Sequence, residues 1–363
     1  MKDPAVLHVD PELQWRGGQQ QALYLHLGML SRGYKSGFIC NPGSELALRL
    51  KQHDADYHCI RHRFEVDLVA GFQLALYAKT HGYNILHLHS GHALSWGLLA
   101  KFFYPKLKLI AARRVDFHIG KNFFSRWKYT SSGVNTIVAI SKNIRNVMLQ
   151  DGVPEAKIRL IYSGVDTHKF DHIVPDSNYR QQWQIPEEAI IVGTVAAFVA
   201  HKDYRNFFAA AAIALKSNPN LHFVAVGDGI QMQIMKDLAA ELGLVGKICF
   251  TGFQNKVGNH LKAFDIFVIA SKKEGLGTSV LDAMSVGLPV IGTRAGGIAE
   301  MIEDGKSGLL VEARNSEALA RAILKLAADK DLRKHLGSNA LKRVQDFSKE
   351  QMVDDNIRLY EEL

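Results

Sequence analysis

Short apolar runs alternate along this chain with longer segments in which apolar residues recur at helical spacing. The runs of the first half predict strands at Val6–Val9, Ser36–Cys40, Ile85–His89, Leu107–Ala111, Thr136–Ile140 and Lys157–Ile161. Those of the second half predict strands at Ile190–Val195, His222–Val226, Ile248–Phe250, Ile266–Ile269 and Pro289–Ile291. Helices are predicted between them, for example over 19–32, 204–216 and 231–242. This alternation is typical of α/β domains with doubly wound parallel sheets.

The length of 363 residues exceeds one ordinary core and predicts two such domains. We expect one domain over 1–168, a second over 169–345, and a C-terminal helix over 346–363 that packs back on the first. The polar, turn-rich segment from Tyr162 to Pro186 marks the change between them. Ligands of doubly wound sheets bind at the carboxyl ends of the strands, so we expect the site in a cleft there.

Composition places the chain among globular proteins without a membrane span. It is 47% hydrophobic and 22% charged, and its longest uncharged apolar stretch, about 189–200, is too short to cross a bilayer. The start lacks the apolar segment of a signal peptide. Cys40, Cys59 and Cys249 are widely spaced, which predicts neither a disulfide framework nor a cysteine metal site. A cytoplasmic location is predicted.

Positive charge is concentrated in the first half. Residues 1–170 carry 22 Lys and Arg against 12 Asp and Glu, a net of +10, and the remainder carries 22 against 24, a net of −2. One interpretation is solubility alone; the other is an anionic partner, either an acidic lipid surface at the inner face of the cytoplasmic membrane or a phosphorylated acceptor. No nucleic-acid-binding signature accompanies the charge, so nucleic acid is not predicted as a partner.

The most informative stretch is 274–290. It follows an apolar run over 265–270 that predicts a buried strand, and it begins a glycine turn that leads into a helix. Free N–H groups at such a helix start bind anions. Carboxylates at Glu274 and Asp282 flank the turn and can accept hydrogen bonds from hydroxyls. A sugar linked to a nucleoside diphosphate requires this combination.

Several stretches together resemble a known enzyme family. They are 15–20 with its glycine pair, 139–141, 153–158, 163–170, 226–229, 251–253, the Glu274 stretch, 296–300 and 304–311. On these residues the chain resembles a retaining GT-B glycosyltransferase of family 4, over nearly its full length. The resemblance implies two Rossmann-like domains facing across a cleft and a nucleotide-diphosphate sugar, most often a UDP-sugar, as co-substrate. It implies no essential metal and no other cofactor.

The resemblance also implies roles for individual residues. Glu274 would contact the donor sugar near the reacting carbon, and Lys202 would neutralise the leaving diphosphate. The remaining donor-binding positions are Gly17, Gly18, Phe253, Gly275, Leu276, Gly277, Thr278 and Asp282. For each of these residues the alternative is a purely structural role: an ordinary turn for the glycines, a surface acid for the carboxylates and an exposed cation for Lys202.

Two positions depart from the family pattern. Asp282 stands where a Glu is usual, which re-spaces the expected contact with the ribose hydroxyls. Ala197 stands where an Arg is usual, five positions before Lys202, so Lys202, Arg205 or another residue would carry more of the phosphate charge. Both departures concern the choice of nucleotide.

The acceptor side is predicted around the segment 111–118. His89, Arg113 and Arg114 are candidate acceptor contacts, and His118 is a candidate catalytic group. Paired arginines can bind a phosphate or carboxylate; the alternative is a surface basic patch partnered by Asp116. The histidines at 87, 89 and 92 allow a zinc site, but the i, i+2 spacing of the first two favours a buried, hydrogen-bonded pair.

The segment 121–129 mixes aromatic and basic residues. Lys121, Arg126 and Lys128 alternate with Phe123, Phe124, Trp127 and Tyr129. Such a segment is typical of peripheral contact with anionic membrane. An ordinary helix with one core face remains an equal alternative.

The predicted function is transfer of a sugar, with retained anomeric configuration, from a nucleotide-diphosphate donor to a glycan or lipid-linked acceptor in cell-envelope polysaccharide or lipopolysaccharide assembly. Alternatives are a sugar-nucleotide epimerase of the same fold and a non-catalytic sugar-nucleotide-binding protein. A dinucleotide-dependent oxidoreductase is disfavoured, because no Gly-x-Gly-x-x-Gly follows the first strand.

Overall fold

The chain forms two compact α/β units in a computed structural model that describes residues 4–61, 64–119, 123–174 and 178–363. The first unit comprises Met1–Gly164 with Ser348–Leu363, and the second comprises Val165–Phe347. The C-terminal segment therefore belongs to the first unit. None of the helices in the described ranges is long and apolar enough to cross a membrane.

Each unit contains one parallel sheet. The strands of the first unit are β1 (Ala5–Asp10), β2 (Lys35–Cys40), β3 (Tyr57–Cys59), β4 (Ile85–Leu88), β5 (Lys108–Arg113), β6 (Thr136–Ala139) and β7 (Ile158–Leu160). Those of the second are β8 (Ile190–Val195), β9 (Leu221–Val226), β10 (Ile248–Gly252), β11 (Ile266–Ile269), β12 (Val290–Thr293) and β13 (Leu309–Val311). The prediction of doubly wound parallel sheets is confirmed.

Helices connect the strands. They are α1 (Gly17–Ser31), α2 (Glu45–Gln52), α3 (Leu68–Thr80), α4 (Gly91–Phe103), α5 (Phe123–Thr130), α6 (Lys142–Gln150), α7 (Asn178–Gln182), α8 (Tyr204–Ser217), α9 (Met232–Glu241), α10 (Val257–Ala263), α11 (Thr278–Ser285), α12 (Ile298–Met301), α13 (Ser316–Ala328), α14 (Lys330–Arg343) and α15 (Lys349–Glu361). Short 3₁₀ helices lie at Glu155–Lys157, Ala200–Lys202 and Val344–Phe347.

The strand order in each sheet fixes where a ligand can bind. The first sheet runs β3-β2-β1-β4-β5-β6-β7, and the second runs β10-β9-β8-β11-β12-β13. The order reverses between β1 and β4 in one unit and between β8 and β11 in the other. Loops diverge at such a switch point and leave a crevice outside the carboxyl ends of the strands. Each unit therefore has one such crevice.

Helix α15 is held on the first unit by its apolar side. Ser348 caps it by accepting a hydrogen bond from the N–H of Gln351 at 3.1 Å. Met352, Val353 and Tyr360 join the buried cluster formed by β1 and α1. Gly28 in α1 permits the close approach, because a Cβ there would lie 2.5 Å from Val353 Cγ2.

One strand prediction near the site needs correction, and one edge strand was not predicted. The strand predicted over Ile85–His89 ends at Leu88, so His89 lies in the loop at the carboxyl end of β4. Strand β3 was not predicted, because its three residues, Tyr57–Cys59, are only partly covered and show no apolar run. It is an edge strand, and half-exposed edge strands carry the weakest sequence pattern.

Candidate functional site

Two oppositely charged side chains meet at the switch point of the second unit. Lys202 ends the 3₁₀ helix that follows β8, and Glu274 lies in the loop that follows β11. The Lys202 Nζ donates to Glu274 Oε2 at 2.5 Å, and each side chain is 14% exposed. The Ser271 hydroxyl donates to the same oxygen at 3.3 Å. The prediction from sequence that both residues serve one site is thus matched by direct contact, although their catalytic role stays a prediction.

The backbone around Glu274 is fixed by a glycine pair from the next strand-to-helix connection. The N–H of Gly297 donates to the carbonyl of Glu274 at 3.0 Å. A Cβ at Gly296 would lie 2.0 Å from that carbonyl oxygen, and one at Gly297 would lie 2.2 Å from the oxygen of Gly275. Since backbone cannot yield as a side chain can, only glycine allows this packing. The glycine pair therefore sets the position of the Glu274 loop.

Helix α11 begins directly after this loop without a side-chain cap. Gly277 is its N-cap residue, and no side chain of the described residues accepts a hydrogen bond from the first turn. Its buried face contains Val280, Leu281, Met284 and Ser285, as predicted. The first N–H groups of an α-helix have no partner within the helix and attract anions. Gly275, Leu276, Gly277 and Thr278 thus connect Glu274, the partner of Lys202, to a helix start.

The second carboxylate of the motif, Asp282, lies inside α11. Burial raises the pKa of Asp282 above its ordinary value. The Lys169 cation, with Nζ 3.8 Å from Asp282 Oδ2, lowers that pKa by a smaller amount. Phe253, exposed at the carboxyl end of β10, presents an apolar ring to solvent. Arg205 lines a separate polar pocket of about 550 Å³ with Lys272 and Arg314.

The crevice of the first unit is a cavity of about 710 Å³. It is lined by the loop after β1, the start of α1, the loop after β4 and the end of β5. Gly18, His89, Arg113 and Arg114 all contribute to its wall, so the structure brings these predicted residues together. Gly18 lies against Arg114, because a Cβ there would come within 3.3 Å of Arg114 Cδ.

Arg114 is a half-buried cation at the wall of this cavity. Its Nη2 donates to His89 Nδ1 at 3.0 Å, and no carboxylate of the described residues pairs with it. Burial lowers its pKa to about 10, which leaves it charged at neutral pH. Asp10 attracts this cation without forming an ion pair with it. Removing a charge from water is costly, and an anionic ligand group would offset more of that cost.

A chain of hydrogen bonds runs from Arg114 into the core. Because a guanidinium only donates hydrogen bonds, His89 Nδ1 is the acceptor from Arg114. The Nε2–H of His89 then donates a hydrogen bond to His8 Nδ1 at 3.0 Å. The proton of neutral His8 then lies on Nε2. Sequence reasoning missed His8, although a histidine within an otherwise apolar strand is a detectable signal.

Arg113 differs from Arg114 in that both of its terminal nitrogens donate hydrogen bonds to neighbouring protein oxygens. Its Nη1 donates to the Tyr129 hydroxyl at 3.4 Å and its Nη2 to the carbonyl of Phe117 at 2.5 Å. The alternative of a surface basic patch is wrong for Arg113, which is buried, as is Asp116. His118 does not line the cavity; it is half exposed, with Nδ1 2.9 Å from Asp151 Oδ1.

The histidines near the cavity form a buried network. One ring nitrogen each of His8, His87 and His89 lie within 4.8 Å of one another. His87 Nδ1 lies 2.5 Å from the Tyr360 hydroxyl, and both nitrogens of His89 are hydrogen-bonded. The neighbouring Arg114 cation opposes a second positive charge. Four of the six ring nitrogens thus serve hydrogen bonds, whereas Nε2 of His8 and Nε2 of His87 have no partner among the described residues. His92 lies outside the network with Nδ1 2.8 Å from Glu12 Oε1.

This network predicts a steep loss of stability in acid. Burial holds the pKa values of His8, His26, His87 and His89 below the ordinary 6.5, to about 4 for His26 and about 3 for His87. Below pH 6.5 these histidines take up protons in the unfolded state but stay neutral in the folded state. The free energy of unfolding is therefore highest above that pH and decreases as the pH falls. Burial also raises the pKa of Asp10 to about 6, so the folded state keeps one proton that the unfolded state releases.

Near pH 5 the unfolded state binds four more protons on the histidines and one fewer on Asp10 than the folded state, a difference of three. The free energy of unfolding should therefore fall by up to roughly 4 kcal/mol for each pH unit of acidification. Urea unfolding at a series of pH values measures this slope. His87→Gln should make it shallower by about one proton, whereas His168→Gln, at an exposed position, should not change it. A stability independent of pH in this range would show that these histidines are not buried neutral.

The prediction that segment 121–129 presents a basic and aromatic surface needs correction at Lys128 and Tyr129. Lys121 lies outside the described residues. The Lys128 side chain points inward and its Nζ lies 2.8 Å from Glu65 Oε1, while Tyr129 is buried. Phe123, Phe124 and Trp127 remain exposed. Helix α5 therefore buries the Lys128 side chain in an ion pair and exposes its aromatic residues to solvent.

Comparison with known proteins gives matches in both units. A family model described as Glycosyltransferase Family 4 matches residues 15–169, and one described as Glycosyl transferases group 1 matches residues 175–343. The lipopolysaccharide core biosynthesis glycosyltransferase LpsE of Rhizobium meliloti is 32% identical over 181 residues, which cover 50% of this chain and 52% of that protein. The match thus spans about half of that relative.

Two further similarities extend over most of the chain. The putative glycosyltransferase EpsD of Bacillus subtilis is 27% identical over 305 residues, or 79% of each protein. The crystal structure of Anabaena HepE in complex with UDP has a TM-score of 0.87 at 20% identity, covering 99% of this chain and 100% of that one. At 20% identity, the similarity to HepE shows the fold alone.

Proposed function

Since the chain belongs to the retaining glycosyltransferase family 4 and has the GT-B fold, we propose that it transfers a sugar from a UDP-sugar to a glycan or lipid-linked acceptor. The acceptor belongs, in this proposal, to cell-envelope polysaccharide or lipopolysaccharide assembly, as the name of the relative LpsE suggests. The fold similarity to a protein crystallised with UDP supports the choice of nucleotide. Matches to two glycosyltransferase models favour transfer over the epimerase alternative.

The observation that carries the proposal is the Lys202–Glu274 pair at the switch point of the second unit. Helix α11, whose N-cap Gly277 offers no side-chain acceptor, begins four residues after Glu274, so the cation contacts the loop that leads into free N–H groups. A diphosphate placed there would draw Lys202 toward its oxygens and leave the Glu274 carboxylate to the sugar. Negative charge develops on the leaving diphosphate, and a fixed cation stabilises it without reorganisation.

The reaction in this proposal breaks the bond between the anomeric carbon and the diphosphate oxygen and forms one to the acceptor hydroxyl oxygen on the same face. The hydroxyl proton passes to an oxygen of the departing diphosphate. Glu274 stabilises the positive charge that develops on the sugar ring. No protein base is required, which agrees with the position of His118 outside the cavity of the first unit.

We assign the cavity of the first unit to an anionic group of the acceptor. Arg114 supplies a positive charge at its wall with no ion-pair partner among the described residues, and His89 orients the guanidinium. Arg113 contributes less because Tyr129 and Phe117 hold it. A phosphate or carboxylate is the group that a guanidinium binds with paired hydrogen bonds. An acceptor bearing such a group is therefore preferred.

Arg114→Gln is expected to raise the KM for an acid-bearing acceptor by roughly 10- to 100-fold, the equivalent of one charge-assisted hydrogen bond. The affinity for UDP should be unchanged. Initial rates at varied acceptor concentration measure the first quantity and isothermal titration the second. Arg145→Gln, at a surface ion pair on α6, is the matched control. An unaltered KM would remove Arg114 from the acceptor site.

The proposed function is tested by incubating the protein with UDP-sugars and extracted envelope glycolipids and following UDP release. Transfer is expected, with the product anomer that of the donor, as judged from the NMR coupling of the anomeric proton. Binding of a UDP-sugar without release of UDP would support the non-catalytic alternative. Product of inverted configuration would contradict the proposed chemistry.

A further inference from the structure

The polar pocket of about 550 Å³ in the second unit is not part of the site described above. We call it the arginine pocket and define it by Asp203, Arg205, Asn206, Ala209, Lys272, Arg314 and Ser316. Neither Lys202 nor Glu274 lines it. Its wall comes from the start of α8, the connection after β11 and the start of α13. These segments follow the carboxyl ends of β8, β11 and β13, the edge at which a parallel sheet binds ligands.

The wall of the arginine pocket has an excess of positive charge. It contains three cations and one carboxylate, which leaves a net of +2. Lys272 Nζ lies 3.4 Å from Asp203 Oδ1, so these two charges balance each other. Arg205 and Arg314 are exposed, and no carboxylate of the described residues forms an ion pair with either. The excess charge therefore resides on the two arginines.

A buried amide adds a hydrogen-bond donor to the same wall. Asn206 is only 7% exposed, and its Nδ2 has no hydrogen-bond partner among the described residues. Leaving a buried donor unpaired is costly, and such groups often mark the position of a ligand or ion. A rotation about χ2 turns this donor toward a ligand in the pocket. Two cations and an unused amide donor together favour an anionic ligand rich in acceptor oxygens.

The charge and the size of the pocket distinguish between anionic groups. A carboxylate carries one negative charge, whereas a phosphomonoester carries roughly −1.5 to −2 at pH 7. The second value matches the two unpaired guanidinium groups, whose fork of donors fits phosphate oxygens. The volume of about 550 Å³ lies within the range of roughly 300–1,000 Å³ that is usual for small organic ligands. A sugar attached to the phosphate therefore has room.

We propose that the arginine pocket is a second ligand site, which binds a phosphate dianion carried by a small phosphorylated sugar or present as free phosphate. Arg205 and Arg314 contact the phosphate oxygens, and Asn206 donates a hydrogen bond to one of them. Lys272 stays with Asp203 and keeps that carboxylate from repelling the ligand. The proposal does not rest on sugar transfer and would hold for any activity of the second unit.

The position of the pocket dictates how it must be tested. Asp203 directly follows Lys202 in the chain, and the N–H of Lys272 donates to the carbonyl of His201 at 2.8 Å. The pocket thus adjoins the two connections that carry Lys202 and Glu274. A phosphate compound could therefore bind at either place, and the two places must be measured separately.

The test is isothermal titration with glucose 6-phosphate, inorganic phosphate and gluconate in turn, each with and without saturating UDP. Glucose 6-phosphate should bind in both conditions, and gluconate, with its single charge, should bind at least about tenfold more weakly. Tighter binding of glucose 6-phosphate than of inorganic phosphate would identify a phosphorylated sugar as the occupant, and equal affinities would identify free phosphate. Absence of saturable binding by both phosphate compounds would overturn the proposal, as would their displacement by UDP.

Two variants locate the binding. Arg205→Gln with Arg314→Gln should weaken glucose 6-phosphate binding by on the order of 100-fold or more, because two charge-assisted hydrogen bonds are lost. Both positions are exposed, so the unfolding temperature should stay the same. Asn206→Ala should weaken binding roughly tenfold, although it removes no side-chain hydrogen bond made by Nδ2 within the described residues. Unchanged affinity in the arginine double variant would overturn the proposal.

The matched control is Arg321→Gln with Lys325→Gln, which removes two exposed cations from α13 outside the pocket. It should leave the affinity for glucose 6-phosphate unchanged. An equal loss in both double variants would show general attraction by positive charge and no specific site. If Arg205→Gln with Arg314→Gln weakens UDP binding as much as glucose 6-phosphate binding, the pocket belongs to the donor site and the proposal is wrong. A protein that does not bind UDP leaves the glucose 6-phosphate result intact.

Discussion

Glu274→Gln is expected to lower turnover by on the order of 10²–10³-fold while changing the affinity for UDP only a few-fold. The substitution keeps the size of the side chain and removes its charge, which we assign to the developing positive charge of the sugar. The diphosphate contacts lie elsewhere, at Lys202 and the start of α11. The measurement is single-turnover kinetics combined with titration of UDP.

The control for this prediction is Glu317→Gln, which removes a 77% exposed carboxylate from α13 in the same unit. It should leave both turnover and UDP affinity as in the wild type. Near-normal turnover of Glu274→Gln would show that its contact with Lys202 only supports the loop. Loss of UDP binding of the same size as the loss of turnover would assign Glu274 to ground-state binding.

Lys202→Ala is expected to weaken UDP binding by roughly 10- to 100-fold, since a hydrogen bond to a charged group contributes about 1.5–3 kcal/mol. Turnover should fall as well, because the same charge stabilises the leaving diphosphate. The variant also leaves Glu274 without its ion-pair partner, which adds repulsion toward phosphate. Isothermal titration with UDP measures the effect.

Lys216→Ala, an exposed lysine near the end of α8, is the matched control and should not change UDP affinity. If Lys202→Ala binds UDP as tightly as the wild type, the phosphate charge is held elsewhere. Arg205→Ala then becomes the next variant, since Arg205 lines the neighbouring polar pocket.

The fold could be predicted from sequence because parallel strands buried on both faces carry continuous apolar runs. Strand β8 runs over Ile190–Val195, as predicted, and β11 over Ile266–Ile269, as predicted. The pairing of Lys202 with Glu274 follows from the same logic, since the two residues lie in the connections after the neighbouring strands β8 and β11 at the switch point. The distance between the two side chains could not be predicted from sequence. Nor could the close packing of Gly296 and Gly297 against the backbone of Glu274 and Gly275.

The remainder depended on side-chain direction, which sequence spacing leaves undetermined. Arg113 and Arg114 are adjacent in sequence and both line the cavity, yet Arg113 donates to Tyr129 and Arg114 donates to His89. Lys128 belongs to a basic and aromatic segment, yet it points inward to a glutamate 63 positions away in sequence. Long-range pairings of this kind have no local pattern.

The most direct test of the central claim is the thermal stability of the wild-type protein with UDP-, GDP-, ADP- and CDP-sugars in turn. A ligand that binds only the folded state should add roughly 2.7 kcal/mol at 100 times its Kd. Our account predicts stabilisation by UDP-sugars and by free UDP, and a smaller response in Lys202→Ala. A flat response to every nucleotide sugar would contradict the assignment of the switch point in the second unit as a donor site.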